Sequence, residues 1–203
     1  MVELSRVIGR QRFTVSCQEG VVPLAERLLR TVEAMVSAGS VFKDGETLNY
    51  GGLIFALRQR GTSLWLGCPR IEGDSVFDDE GDVSPLLSLL AREIHFARSL
   101  GVEPEQVNLW DKVVLEEGCL SETDVFMERT PDAPSGDSGW FIGRVVEGEG
   151  ERVLTALRVW HLLRLRPRLV DAMALPRRFL VVWHGDDVVG VQDANGNERW
   201  GLK

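Results

Sequence analysis

The sequence predicts an α+β fold with a mainly antiparallel sheet and several amphipathic helices packed against it. Two segments, residues 21–38 and 84–100, place apolar residues three and four positions apart, which is typical of helices with one buried face. Several short apolar runs are bounded by turn residues, which is typical of strands. Helices and strands do not alternate regularly, so a parallel sheet built from βαβ units is not predicted.

Each predicted helix has recognisable ends. Pro23 is tolerated in the first turn of the first helix, and Gly39 can close its C-terminus. In the second helix, Ser84 is the expected N-cap, Pro85 the first helical residue and Gly101 the end. A third helix is predicted over residues 153–165, before Pro167, with a short helical turn over residues 168–175.

The predicted strands come in pairs and short single runs. One hairpin joins residues 53–57 to residues 63–66 through a turn at Gly61, and a second joins residues 179–184 to residues 188–192. Asn195-Gly196 is a further turn signal. Three other strands are expected, at residues 112–116, 124–128 and 140–146. We expect a single α+β unit over residues 1–203, or two packed subdomains over residues 1–101 and 122–203.

Composition limits the classes of function. The 203 residues are 44% hydrophobic and carry a formal net charge of −8, so a nucleic-acid partner is not expected, because such binders need cationic surface. No apolar stretch reaches the roughly 20 residues of a membrane span, and Met1 is not followed by a secretory signal. Cys17, Cys68 and Cys119 are an odd number of widely spaced cysteines, which favours reduced thiols and a cytoplasmic location.

Signatures of catalysis are weak. The sequence has no nucleophile elbow, phosphate-binding loop or zinc-protease motif, and Gly148-Glu149-Gly150 lacks the context of a dinucleotide site. Glu93 and His95 point to different faces of a predicted helix and cannot chelate a metal together. We therefore expect no cofactor and no metal, and we predict a protein that is not an enzyme. A Cys/His pair assembled in space is the alternative that remains.

An acidic loop precedes the second predicted helix. Phe77 lies among six carboxylates, and an exposed aromatic side chain with a charged rim is typical of a protein interface. A basic protein partner would complement this surface and bind it faster. A solvated loop and a weak cation site are the alternatives. The predicted partner-binding residues are Glu72, Asp74, Phe77, Asp78, Asp79, Glu80 and Asp82.

The string Asp137-Ser138-Gly139-Trp140 is the most distinctive in the chain. Asp and Ser side chains bond to nearby backbone N–H groups in turns, and glycine permits a positive φ. Trp140 then begins an apolar run. We interpret the string as a rigid turn that starts a core strand, with Trp140 buried.

Residues 127–131, Met-Glu-Arg-Thr-Pro, and residues 136–143, Gly-Asp-Ser-Gly-Trp-Phe-Ile-Gly, together resemble the Imm33 (DUF2185) family of immunity proteins. Residues 42–47, Phe-Lys-Asp-Gly-Glu-Thr, and the strands after them are also similar to longer members, so the resemblance extends loosely over most of the chain. The resemblance implies an α+β domain and a cytoplasmic protein that neutralises a cognate bacterial toxin by forming a stoichiometric complex. A regulatory or adaptor module of the same fold is the alternative, followed by an enzyme with an unrecognised site. The motif residues, interpreted as structural, are Arg129, Pro131, Asp137, Ser138, Gly139 and Trp140.

Overall fold

Two mixed sheets and three helices form the part of the chain that a computed structural model describes, residues 1–69, 81–146 and 152–200. Contacts divide the chain into two units, Met1–Ala91 and Arg92–Lys203. Every neighbouring strand pair is antiparallel except one in each sheet. The α+β fold with a mainly antiparallel sheet, predicted from the sequence, is therefore confirmed.

The first unit contains a five-stranded sheet with the strand order β1-β2-β5-β4-β3, in which β2 and β5 are parallel. Helix α1 packs the predicted apolar stripe into the core, burying Leu28 and Val32. The elements are β1 Val2–Ile8, β2 Gln11–Cys17, α1 Val22–Ser37, β3 Thr47–Tyr50, β4 Leu53–Arg60 and β5 Ser63–Gly67. The hairpin β1–β2 was not predicted, because polar residues alternate with apolar ones along β1 and give only a weak strand signal.

The second sheet has seven strands in the order β12-β11-β10-β7-β8-β6-β9, in which β6 and β8 are parallel. Helix α2, Ser84–Ser99, precedes it. The other elements are β6 Lys112–Glu116, β7 Asp124–Arg129, β8 Asp137–Arg144, β9 Leu154–Arg158, α3 Val159–Leu165, β10 Leu180–His184, β11 Asp187–Gln192 and β12 Glu198–Trp200. Single 3-10 turns cover Glu19–Val21, Cys119–Ser121 and Pro167–Ala172.

The two faces of the seven-stranded sheet differ in burial. Because side chains alternate along a strand, Val125, Met127 and Arg129 of β7 lie on the buried face, together with Trp140 and Ile142 of β8. The opposite side carries Phe126, Glu128 and Phe141, which are half-buried or exposed. We call this second side the outer face. Its residues near the centre of the sheet are Val114, Phe126, Glu128, Phe141, Leu180 and Val182.

The predicted third helix is wrong in its first half. Leu154–Arg158 forms β9, an edge strand that pairs with β6, and α3 begins only at Val159. The helix starts there because the His161 side chain accepts a hydrogen bond from the Arg158 backbone N–H, at 3.1 Å. Strand β8 also begins three residues earlier than predicted, at Asp137, and β12 was not predicted. Among the described residues, no helix is long and apolar enough to cross a membrane.

Glu93 is a buried carboxyl group on α2, with only 4% of its surface exposed. Burial, together with the nearby Asp171 carboxylate, raises its pKa to about 8 against the opposing effect of Arg92. Because the pKa in the folded state exceeds that of the unfolded chain, the folded protein holds a proton that the unfolded chain releases above about pH 4.5.

We expect the free energy of unfolding to fall as the pH rises from about 4.5 to about 8. The slope contributed by Glu93 should reach about 1 kcal/mol per pH unit. Glu93→Gln should remove this component and be more stable than the natural protein at pH 8. Urea denaturation of both proteins at pH 5, 6, 7 and 8 measures the slopes, and equal slopes would contradict the prediction.

Candidate functional site

Most of the predicted acidic loop lies outside the described residues. This applies to Glu72, Asp74, Phe77, Asp78, Asp79 and Glu80, whose proposed role in partner binding stays a prediction. Asp82 is described. One oxygen of its carboxylate accepts hydrogen bonds from the backbone N–H and the hydroxyl of Ser84, at 2.8 and 2.6 Å. Asp82 therefore holds the start of α2.

The beginning of α2 differs slightly from the sequence prediction. Ser84 is the first residue of the helix, and its hydroxyl oxygen accepts a hydrogen bond from the Gln18 backbone N–H, at 2.7 Å. The first helical hydrogen bond runs from the Leu87 N–H to the Val83 carbonyl, at 3.0 Å. The predicted N-cap at Ser84 is therefore wrong: Ser84 lies inside the helix, and the side chain that accepts an N–H at its start is that of Asp82.

The distinctive string at residues 137–140 forms the first four residues of β8 rather than a turn before the strand, and its side chains bond to the local backbone as in Asx and ST turns. Asp137 accepts a hydrogen bond from the Gly139 N–H at 2.7 Å, and Ser138 accepts one from the Trp140 N–H at 3.2 Å. The Ser138 hydroxyl also donates to the Lys112 carbonyl on β6, at 2.7 Å. Gly139 has a φ of +77°, which favours glycine, and a Cβ atom there would lie 3.3 Å from the Thr130 hydroxyl oxygen.

Trp140 is the large side chain that this segment directs inward. It is 1% exposed, as expected from its position at the head of an apolar run. Its indole N–H donates to the Met173 carbonyl, at 3.0 Å, so the polar edge of the ring is satisfied inside the core. The residue therefore connects β8 to Met173, which follows the 3-10 segment Pro167–Ala172 and lies 33 positions later in the chain.

Arg129 is a buried cation that lies 6.0 Å from the Trp140 ring centroid. Its guanidinium group donates to three backbone carbonyls, those of Glu105, Ser138 and Leu175. It also forms an ion pair with the Glu105 carboxylate, at 3.4 Å. Burial lowers the pKa of Arg129, and Glu105 partly counters this effect, so the guanidinium remains charged at neutral pH.

A concave pocket of about 480 Å³ opens on the outer face beside this segment. Its floor includes Val114 and Phe141, and the loop from Thr130 to Pro134 forms one wall. The Pro131 carbonyl, on that wall, accepts a hydrogen bond from Arg177 at 2.8 Å. Gly139 and Trp140 also line the pocket, which therefore borders the segment described above.

Two aromatic rings cover the sheet next to the pocket. The Phe126 and Phe141 centroids are 5.7 Å apart, and both rings lie over Gly143. A Cβ atom at Gly143 would come within 2.7 Å of the Phe126 ring, so glycine is required for this packing. The rings give the outer face an apolar centre.

Groups capable of catalysis are dispersed in the described part of the chain. No group of three or more His, Cys, Asp or Glu residues there could hold a metal ion. His161 accepts a backbone hydrogen bond, and His184 contacts Asp124 at 2.8 Å on an exposed strand end. The three cysteines are buried thiols, and burial raises the pKa of Cys119 to about 11, with the Glu116 carboxylate adding to the effect.

The model of one protein family, described as the Imm33-like domain, matches residues 92–193, half of the 203-residue chain. The chain belongs to the Imm33-like family. The family that residues 127–131 and 136–143 suggest is therefore the correct one. No curated protein and no solved structure matches the chain.

The Imm33-like match covers the features of the second unit described above. It begins in α2 and extends past the end of β11, so it includes Arg129, Trp140, the pocket and the outer face. Residues 1–91 lie outside it, so the similarity of residues 42–47 to longer members of the family stays a prediction. Sequence reasoning found the local hydrogen bonds and the burial of Trp140 but missed the pocket. The alternation of Phe126, Met127 and Glu128 along one strand was the available signal, because it places Phe126 and Glu128 on the same face.

Proposed function

We propose that this Imm33-like protein is an immunity protein that binds and neutralises a cognate toxin by forming a stoichiometric complex. The match of the family model to residues 92–193 is the observation that carries the proposal. Protein binding, rather than catalysis, also agrees with the use of the most distinctive residues. Arg129, Ser138 and Trp140 direct their polar groups to backbone atoms inside the fold.

The chemistry of the thiols supports a role without catalysis. Nucleophilic cysteines act as thiolates and have lowered pKa values. Burial instead raises the pKa of Cys17, with the Asp82 carboxylate contributing, and raises that of Cys119 to about 11. Both side chains therefore stay protonated at neutral pH. Buried thiols also agree with a reducing compartment, and we propose the cytoplasm, where a toxin would be met before it acts.

The charge of the chain supports a basic partner. A formal net charge of −8 raises the association rate with a positively charged protein, and fast capture matters when free toxin is harmful. We propose that the acidic loop contributes to this attraction.

The proposal is tested by expressing the products of the neighbouring reading frames, one at a time, in a bacterial host. We expect one of them to stop growth, and we expect co-expression of the Imm33-like protein to restore it. Light scattering of the purified pair should give a complex of fixed stoichiometry. If no neighbouring product is toxic, or if a toxic product still kills, the proposal fails. A pulldown from the native host then separates an adaptor role from an immunity role.

We predict that the thiols are dispensable for protection. Cys17→Ala, Cys68→Ala and Cys119→Ala should each lose about 1–2 kcal/mol of stability, because a buried group is removed, and should still restore growth. The co-expression assay, read together with thermal unfolding of each variant, measures both effects. Loss of protection in a variant that folds normally would indicate a catalytic thiol instead.

A further inference from the structure

The pocket on the outer face is negatively charged and lacks an internal counter-ion. Glu128, Asp132 and Asp137 line it, and no Lys, Arg or His does. The Asp137 carboxylate already accepts a hydrogen bond from the Gly139 N–H. Glu128 and Asp132 form no ion pair with any residue in the described ranges. Two carboxylates are thus available to a cation that comes from outside.

The remaining lining favours a side chain that is both apolar and charged. Val114, Phe141, Pro131 and Pro134 supply apolar surface, and the pocket volume of about 480 Å³ exceeds that of one amino-acid side chain. Arg and Lys have long apolar stems with a charged head, so they can cover apolar walls while the head reaches a carboxylate. Arginine adds a planar group that stacks on aromatic rings and binds carboxylates through two parallel hydrogen bonds.

The surroundings of the pocket extend the same surface. Phe126 and Phe141 provide an apolar centre, and Leu180 and Val182 continue it on the neighbouring strand β10. Glu128 lies between Phe141 and Leu180 in the register of the sheet. An apolar patch with a charged pocket at its border is the usual arrangement of an interface, in which anchoring side chains enter pockets.

We propose that the outer face of the seven-stranded sheet is the toxin-binding surface, and that its pocket receives an arginine or lysine side chain of the toxin between Glu128 and Asp132. The inference rests on the proposed immunity function for the identity of the partner. It goes beyond that function by naming the surface and the chemistry of the anchoring residue. In this proposal the acidic loop contributes charge to the encounter, and the anchor is the pocket.

The pocket can be tested without the toxin, with two peptide probes. One is the acetylated amide Ala-Leu-Arg-Leu-Ala, and the other replaces arginine by citrulline, which has nearly the same shape but no charge. We expect the arginine peptide to shift the backbone amide signals of Thr130, Asp132 and Gly139 in ¹⁵N-labelled protein, in a saturable manner. It should bind at least about tenfold more tightly than the citrulline peptide, because the charge-assisted hydrogen bonds are lost in the latter.

Matched variants locate the effect. Glu128→Gln combined with Asp132→Asn should bring the two peptides within about twofold of each other. Glu117→Gln combined with Asp186→Asn removes the same charge from exposed positions of the same unit and should leave the tenfold difference intact. The inference is overturned if neither peptide gives saturable shifts, if both bind equally to the natural protein, or if the shifts lie elsewhere.

A second test measures the affinity and the association rate of the complex between this protein and a toxin that it neutralises. Glu128→Lys should weaken the complex at least about tenfold, since it places like charges together. Neutralising Asp78, Asp79 and Glu80 together should lower mainly the association rate. If only the loop variant weakens the complex, the proposed surface is wrong while the immunity function stands. If the natural protein neutralises nothing, the proposed function fails, and the peptide experiment still decides whether the pocket binds a cation.

Discussion

Trp140→Ala should lower the free energy of unfolding by about 3–5 kcal/mol, as expected when a fully buried large aromatic side chain is removed. The ring is 1% exposed and fills the core beneath β8. The substitution also leaves the Met173 carbonyl without the indole N–H that it accepts at 3.0 Å. Denaturation by guanidinium chloride, followed by far-ultraviolet circular dichroism because the tryptophan signal changes in the variant, measures the loss.

Trp140→Phe separates the two contributions. It keeps an aromatic ring in the core and removes only the hydrogen bond and part of the volume, so a smaller loss of about 1–3 kcal/mol is expected. A Trp140→Ala variant that keeps natural stability but no longer binds its toxin would show the opposite of our interpretation. Trp140 would then belong to the binding surface.

Arg129→Ala should also be strongly destabilising, by about 3–5 kcal/mol, as when one partner of a buried charged network is removed. Three carbonyl oxygens, from Glu105, Ser138 and Leu175, would lose their donor inside the protein. Arg129→Lys should recover only part of the loss, because one ammonium group cannot reproduce the planar donor geometry. Chemical denaturation of both variants at neutral pH tests this order.

Glu105→Gln is the matched control for the charge. The Glu105 carboxylate is 43% exposed, so its ion pair with Arg129 is screened by solvent and should contribute less than about 1 kcal/mol. The variant leaves the Glu105 backbone carbonyl in place to accept its hydrogen bond from Arg129. The same carboxylate also pairs with Arg177, at 3.0 Å. A loss as large as that of Arg129→Ala would mean that the Glu105 carboxylate, and not the set of carbonyls, stabilises the segment.

Local patterns in the sequence were sufficient for the fold class and for most helices and strands. The apolar stripe of α1 and the hairpin at Gly61 are encoded within single segments, so periodicity and turn residues predict them. The helix predicted for residues 153–158 was wrong because their apolar positions fit a helix as well as a strand. Pairing with β6 decides the outcome, and it joins Leu154 to Glu116, 38 residues away, and Arg158 to Lys112, 46 residues away.

The candidate site was predictable only where its contacts are local. At the start of β8, Asp137 and Ser138 accept hydrogen bonds from N–H groups two residues later, and the sequence predicts these bonds. The role of Arg129 depends on acceptors 9, 24 and 46 residues away, which no local pattern encodes. The pocket beside Glu128 similarly requires β6, β7 and β8 to be in register before its walls meet.

The three carbonyls that accept hydrogen bonds from Arg129 are far apart in sequence, and this affects folding during synthesis. Arg129 leaves the ribosome 46 residues before Leu175, the last of the three carbonyls that it needs. At about 5–20 residues per second, the nascent chain carries this guanidinium without its complete set of acceptors for several seconds. Messages truncated before codon 175 should therefore yield chains that proteases remove, because the second unit lacks both this acceptor and strands β10, β11 and β12.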